Sequence, residues 1–358
     1  MKSNPSAIIA LGTSAGGMDA LSRLVPQLAA DFPSAILIVQ HMSADSTGDM
    51  LVKTLAEKGK LPCKHPEDGE KIKTGHIYVA PSDHHMLVEK GVILVTKGAR
   101  ENRSRPSIDP LLRSAAVAYG SGAIGVVLTG YLDDGTSGMM AIKRCGGTCI
   151  VQDPRDAAFP DMPQSVLNNL KVDHCVPLAG MGALLVYLVQ RLPKSTSGAM
   201  GAKGAKGDKG ASGAMRNGIP EDIVIEAKIA KRVLSDLSAV EALGDQVPFN
   251  CPECGGVLWQ MAKGNLVRYR CHTGHAFTSS VLLAEQTAKI EETLWVALRM
   301  FEERRNLLHT MAVSKGGAPG NGAKSASERA KDSEIHIERI RAMLLSSDKA
   351  TNDAVREG

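Results

Sequence analysis

Short apolar runs alternate with amphipathic stretches through the first half of the chain. Residues 7–11, 35–40 and 124–129 are apolar almost throughout, the mark of strands buried on both faces. Residues 76–80 and 92–96 also read as strands, and 148–152 as a weaker one. Between them, 17–30, 109–119 and 137–144 carry the spacing of helices. Strands alternating with helices predict an α/β fold, a doubly wound and mostly parallel sheet in a three-layer α/β/α arrangement. A short polar stretch separates 76–80 from 92–96, so this pair reads as an inserted hairpin.

The pattern breaks at Pro193. From 193 to 218 large apolar side chains almost vanish, and Gly198, Gly201, Gly204, Gly207, Gly210 and Gly213 keep a period of three. That glycine tract holds no proline and is too short for a triple helix, so it reads as a flexible linker. A Cys/His cluster follows, and then Leu283, Ile290, Leu294, Leu298, Phe301 and Leu308 form one apolar stripe. After a Gly-rich break at 316–325, Ile335, Ile340 and Leu344 repeat the stripe. This is the pattern of a helical hairpin, suited to a homodimer or partner contact and equally to packing within its own domain. The expected organisation is an α/β domain at 1–192, a linker at 193–218, a zinc-ribbon-like segment at 219–281 and a helical hairpin at 282–358.

Composition narrows the class. Of the 358 residues 43% are hydrophobic and 22% charged, as in globular proteins with sizeable cores. The net charge of +4 is too small and too dispersed to make nucleic acid the default partner. No apolar run approaches the ~20 residues of a membrane span, so no membrane insertion is expected. The short polar start carries no secretory signal, which makes the cytoplasm the expected location. Seven cysteines, an odd number, point to thiols or metal ligands rather than a disulfide framework.

The densest chemistry lies at Gly12-Thr13-Ser14-Ala15-Gly16-Gly17, which follows a buried strand and opens a helix. That is the setting a G-x-S-x-G nucleophile turn requires. Such a turn pushes the Ser14 hydroxyl clear of the backbone, and the helix start behind it offers N–H groups to a developing oxyanion. A Gly-rich turn without chemistry is the alternative. Phosphate binding is disfavoured, because neither G-x-G-x-x-G nor a Lys-Ser/Thr ending is present. A serine also needs a base. His41 directly follows the strand at 35–40, and Asp134 lies just past the strand at 124–129. In a parallel sheet the carboxyl ends of the strands share one edge, so Ser14, His41 and Asp134 can converge there.

These residues, with Gln40-His41-Met42, Ala80-Pro81-Ser82, His85-Met86, Arg105-Pro106-Ser107-Ile108-Asp109 and the segment 128–135, recur in a telling order. The set resembles the catalytic domain of the chemotaxis protein-glutamate methylesterases, the CheB type, over roughly residues 6–192. The resemblance implies hydrolysis of γ-glutamyl methyl esters on methylated cytoplasmic helices of chemoreceptors, with release of methanol. In some members it also implies deamidation of receptor glutamines. It further implies an opposing receptor methyltransferase in the same pathway and no cofactor for catalysis. By motif position Ser14 is the nucleophile, His41 the general base and Asp134 the residue that orients it, while Ala15 and Tyr131 line the oxyanion and substrate.

Three departures stand out. Ala15 occupies a position where the family often has threonine, and Tyr131 and Leu132 replace the methionine and glycine of a Thr-Gly-Met-Gly segment. A backbone N–H survives the change at Tyr131. Losing the glycine matters if that position needs positive φ. Typical members also begin with a receiver domain. Here the first strand starts at residue 7, so a stand-alone member is expected. A non-catalytic signalling scaffold and a small-molecule serine esterase are the competing functional readings.

Outside the likeness, Cys251-Pro252-Glu253-Cys254-Gly255-Gly256 has the spacing of a metal knuckle, and Cys271-His272-Thr273-Gly274-His275 follows, with sixteen residues between Cys254 and Cys271. Three thiolates and an imidazole make a tetrahedral zinc set, with a structural role because no position stays open. Cys251, Cys254, Cys271 and His275 are the expected ligands. His272 competes for the fourth place but adjoins Cys271. A redox Cys-x-x-Cys pair is the alternative. Lys263, Arg268 and Arg270 make the knuckle basic and leave a nucleic-acid contact open there. Cys63, Cys145, Cys149 and Cys175 lack knuckle spacing and read as buried thiols.

Overall fold

A computed structural model describes residues 5–89, 91–192, 215–216, 218–231, 237–263, 266–314 and 325–356. The expected linker and the Gly-rich break lie almost wholly outside these residues. The chain forms two compact units, Met1–Leu282 and Leu283–Gly358. Among the described residues no helix is long and apolar enough to cross a membrane.

In chain order the first half runs β1 (Ile8–Thr13), α1 (Gly17–Leu24), β2 (Ala35–Gln40), α2 (Asp49–Lys58), β3 (Cys63–Lys64) and β4 (Ile77–Val79). The hairpin β5 (His85–Glu89) and β6 (Val92–Thr96) comes next. Then follow α3 (Ile108–Tyr119), β7 (Ala123–Val127), α4 (Thr136–Arg144), β8 (Thr148–Gln152), α5 (Asp161–Asn169), β9 (His174–Val176) and α6 (Leu178–Arg191). Seven strands make one parallel sheet in the order β3-β4-β2-β1-β7-β8-β9. Alternate residues of β1 face opposite ways, as the period of two demands. Ile8 and Ala10 pack with α3, α4 and α5, while Ile9 and Leu11 pack with α1, α2 and α6. The result is the expected three-layer α/β/α sandwich.

Two local readings need correction. Residues 76–80 are not half of a hairpin: Ile77, Tyr78 and Val79 are buried and pair with β2 in the parallel sheet. The true partner of β6 is β5, whose leading His85 hid its apolar run. The helix expected over 17–30 stops at Leu24 and passes into a single 3-10 turn, Val25–Gln27. Pro26 sits in that turn, and a proline inside an α-helix lacks the N–H donor and clashes with the preceding turn.

After β10 (Met215–Arg216), β11 (Ile219–Pro220), α7 (Glu221–Lys231) and α8 (Leu237–Glu241) the chain forms a four-stranded antiparallel meander. Its strands are β12 (Asp245–Asn250), β13 (Val257–Lys263), β14 (Leu266–Cys271) and β15 (Ala276–Thr278). This is the expected small ribbon. Ile229 of α7 and Val240 of α8 pack on Trp259 and Met261 of β13.

The second unit consists of the rest of α9 (Ser279–Ser314) and of α10 (Ala326–Arg356). Leu298, Ile337 and Leu344 form its core, with Leu294, Phe301 and Ile340 against them. Leu283, Ile290 and Ile335, counted in the sequence stripe, are exposed, whereas Ile337, not counted, is fully buried.

Candidate active site and metal centre

The order of strands reverses beside β1: β2 lies on one side and β7 on the other. In open parallel sheets such a switch point leaves a crevice beyond the carboxyl ends of the strands. Ser14 follows β1, His41 follows β2, and Asp134 follows β7. The three come together there: His41 Nδ1 lies 3.2 Å from Ser14 Oγ, and His41 Nε2 lies 2.8 Å from Asp134 Oδ2.

The serine turn is held tightly. Ser14 N donates to the Thr129 carbonyl at 2.9 Å, and Gly16 enters α1 at φ 76°. Gly130 closes the other side. A Cβ there would stand 2.7 Å from Ser14 Cβ and 2.1 Å from Met162 Sδ, so only glycine lets the strand-end loop approach the nucleophile. Tyr131 follows, exposed, with its ring 4.6 Å from that of Phe159. Leu132 takes φ 63°, the left-handed region. The position that carries glycine in the family pattern therefore does need positive φ, and here a leucine adopts it.

Asp134 is buried, and burial alone would raise its carboxyl. The hydrogen bond and charge of His41, the Ile108 N–H and the Asn102 amide outweigh that and hold it down at about 2. Its Oδ1 accepts from Asn102 Nδ2 at 2.9 Å, and Oδ2 accepts from Ile108 N at 2.7 Å. Ser107 Oγ donates to the same group at 2.9 Å. Ile108 and Asp109 open α3, so the positive end of a helix faces the carboxylate. Asp109 shows the opposite behaviour. Burial and the neighbouring Asp134 charge push its carboxyl up to about 7.

Sequence reasoning singled out the triad but gave no role to Asn102 or Asp109. Asn102 bridges the two carboxylates, donating 3.0 Å to Asp109 and 2.9 Å to Asp134, from a backbone at φ 49°. The Arg-Pro-Ser-Ile-Asp motif was the available signal, because its Ser107, Ile108 and Asp109 all donate to Asp134.

The Cys/His cluster forms a second candidate centre. One ligand atom each from Cys251, Cys254, Cys271 and His275 lies within 4.8 Å of every other. His272 is exposed and outside this group, with its ring over Gly256. A tetrahedral ion with Zn–S distances of about 2.3 Å would hold its ligands about 3.8 Å apart. Cys254 Sγ and Cys271 Sγ are 3.8 Å apart, and His275 Nδ1 is 3.7 Å from Cys251 Sγ and 3.5 Å from Cys271 Sγ. The donor set thus fits a four-coordinate zinc.

Two expectations are overturned, one in this ribbon and one in the parallel sheet. Arg268 and Arg270 do not present a basic face: both are buried, Arg268 on Glu226 at 2.7 Å and Arg270 on Glu101 at 3.0 Å. Among the other thiols, Cys149 is buried but Cys175 is exposed on the edge strand β9.

Known proteins resemble the first half of the chain. Residues 9–185 match the family model described as CheB methylesterase. A Leptospira interrogans protein named "Putative protein-glutamate methylesterase/protein-glutamine glutaminase" is 39% identical over 183 residues, 51% of this chain and 94% of that protein. The Maricaulis maris "Protein-glutamate methylesterase/protein-glutamine glutaminase" is 38% identical over 50% of this chain and 45% of its own length. Among solved structures, the CheB methylesterase catalytic domain of Thermotoga maritima is 35% identical, with a TM-score of 0.49, covering 51% of this chain and 98% of that one. The chain belongs to the CheB methylesterase family.

Proposed function

We propose that this chain is a serine hydrolase that removes methyl groups from γ-glutamyl methyl esters on chemoreceptor-type signalling proteins, releasing methanol. The observation that carries this reading is the hydrogen-bonded chain Ser14–His41–Asp134 at the carboxyl ends of three adjacent strands. His41 Nδ1 takes the Ser14 proton as Oγ attacks the ester carbonyl. Backbone N–H groups of Ala15 and Tyr131 hold the oxyanion. Asp134, ionised far below neutrality, orients the ring through Nε2 and stabilises the imidazolium. His41 then protonates methoxide as it leaves, and a water activated by the same nitrogen hydrolyses the acyl-serine to free glutamate. With a glutamine side chain the leaving group is ammonia, by the same steps.

Cys251, Cys254, Cys271 and His275 would hold a structural zinc, which supplies a fixed cross-link rather than a reactive water because all four positions are filled by protein. The helical unit is the proposed homodimer contact, and a receptor methyltransferase is the opposing activity. The test is methanol release from methylated receptor fragments. Ser14→Ala is expected to lower kcat by roughly 10³-fold or more without altering the fold. Full turnover by that variant refutes the assignment, and turnover of aryl esters alone replaces the substrate with a small molecule.

A further inference from the structure

The ribbon and the triad share a stretch of backbone. Ala276, the residue after His275, accepts from Asn102 N at 2.8 Å and donates to the Arg100 carbonyl at 3.3 Å. Asn102 is the residue whose amide bridges Asp109 and Asp134. Two residues on, Thr278 Oγ1 donates to Asp133 Oδ1 at 3.0 Å, and Ser280 Oγ donates to the other oxygen of the same carboxylate. Asp133 directly precedes the triad carboxylate. On the other flank of the ligand loop, Arg270 is fully buried and donates to the Gly274 carbonyl at 2.8 Å and to Glu101 at 3.0 Å. The loop 271–275 is thereby tied on both sides to residues adjoining Asn102 or Asp134. None of these contacts reaches Ser14 or His41.

We propose that the Cys251/Cys254/Cys271/His275 ribbon is a positioning element for the esterase. Its closure around a zinc ion sets β15, and β15 fixes Asn102, which donates to the Asp134 carboxylate, and Asp133, its neighbour in the chain. Asn102, Thr278 and Ser280 are positioning residues, since they act only through Asp134. The inference rests on the triad reading above but not on the identity of the ester.

The experiment uses the full-length chain, loaded with zinc, stripped by a chelator and reloaded with zinc alone. Three quantities are read: bound zinc, hydrogen exchange of the amides at 100–109, and the rate and pH profile of Ser14 labelling by a fluorophosphonate. About one zinc per chain is expected, with faster exchange at 100–109 on stripping and recovery on reloading. Labelling of Ser14 should slow by roughly tenfold or more on stripping, because small misplacements of a catalytic group are costly, and its pH midpoint should move. A Thr278→Val, Ser280→Ala double variant should keep its zinc and its fold yet label more slowly, which separates positioning from loss of structure. Equal labelling and exchange with and without zinc overturns the proposal, as does a chain that binds no zinc. Absence of Ser14 labelling in every form instead overturns the triad reading itself.

Discussion

At the scale of residues, two buried carboxylates side by side take opposite roles. Asp134 faces a helix start, an amide and His41, and stays ionised down to about pH 2. Asp109, with the same burial and the Asp134 charge beside it, keeps its proton up to about pH 7. The stability consequences have opposite signs and separate windows. Between the ordinary aspartate value of 3.8 and about 7 the folded chain binds a proton at Asp109 that the unfolded chain has lost, so stability falls as pH rises. Asp134 adds stability above pH 3.8 that is lost as pH drops toward 2. Asp109→Asn should therefore flatten the thermal midpoint between about pH 4 and 7 while leaving the acid side intact. Unfolding scans across that range check this, and an unchanged slope would count against the protonated Asp109. The triad types were legible in sequence because each stood at the end of an apolar run. Asn102 was not, since its role depends on side-chain bonds to Asp109 and Asp134 that no motif spacing announces.

At the scale of elements, continuous apolar character identified the central strands correctly, because a strand covered on both faces has no polar alternation to confuse it. The reading failed where strands are short or led by a polar residue: β3 and β9 have two and three residues, and β5 opens on His85. The loop after β7 shows what a single backbone angle contributes. Leu132 holds φ 63° while 43% exposed, so its side chain gains little packing in return for the left-handed backbone. That conformation costs a leucine about 1 kcal/mol. Leu132→Gly removes the strain but frees the unfolded chain, so a net gain of roughly 0.5 kcal/mol is expected in denaturant melts. A clear loss of stability would mean that the leucine packs better than its exposure indicates.

At the scale of the whole molecule, the chain carries cores of very different depth. The α/β sandwich buries strand and helix side chains on both faces of its sheet. The helical unit has one small cluster, Leu298, Ile337 and Leu344, with Leu308 and Ala330 also buried along the two helices. Its pattern was the hardest to read, since a stripe on a long helix marks a face but not the depth to which each position is covered. Leu283 and Ile290 lie outside that core, and Ile337 lies at its centre, in register with Leu344 one heptad on. Ile337→Ala leaves a cavity in a core too small to collapse around it, at a cost of about 2–4 kcal/mol. Because Ile337 belongs to the helical unit and the triad to the other, ester turnover should stay unchanged while the helical pair melts earlier. Calorimetry with helix-specific probes resolves this as a separate, lowered transition. One cooperative transition that carries the esterase activity down with it would show that the two cores stand or fall together.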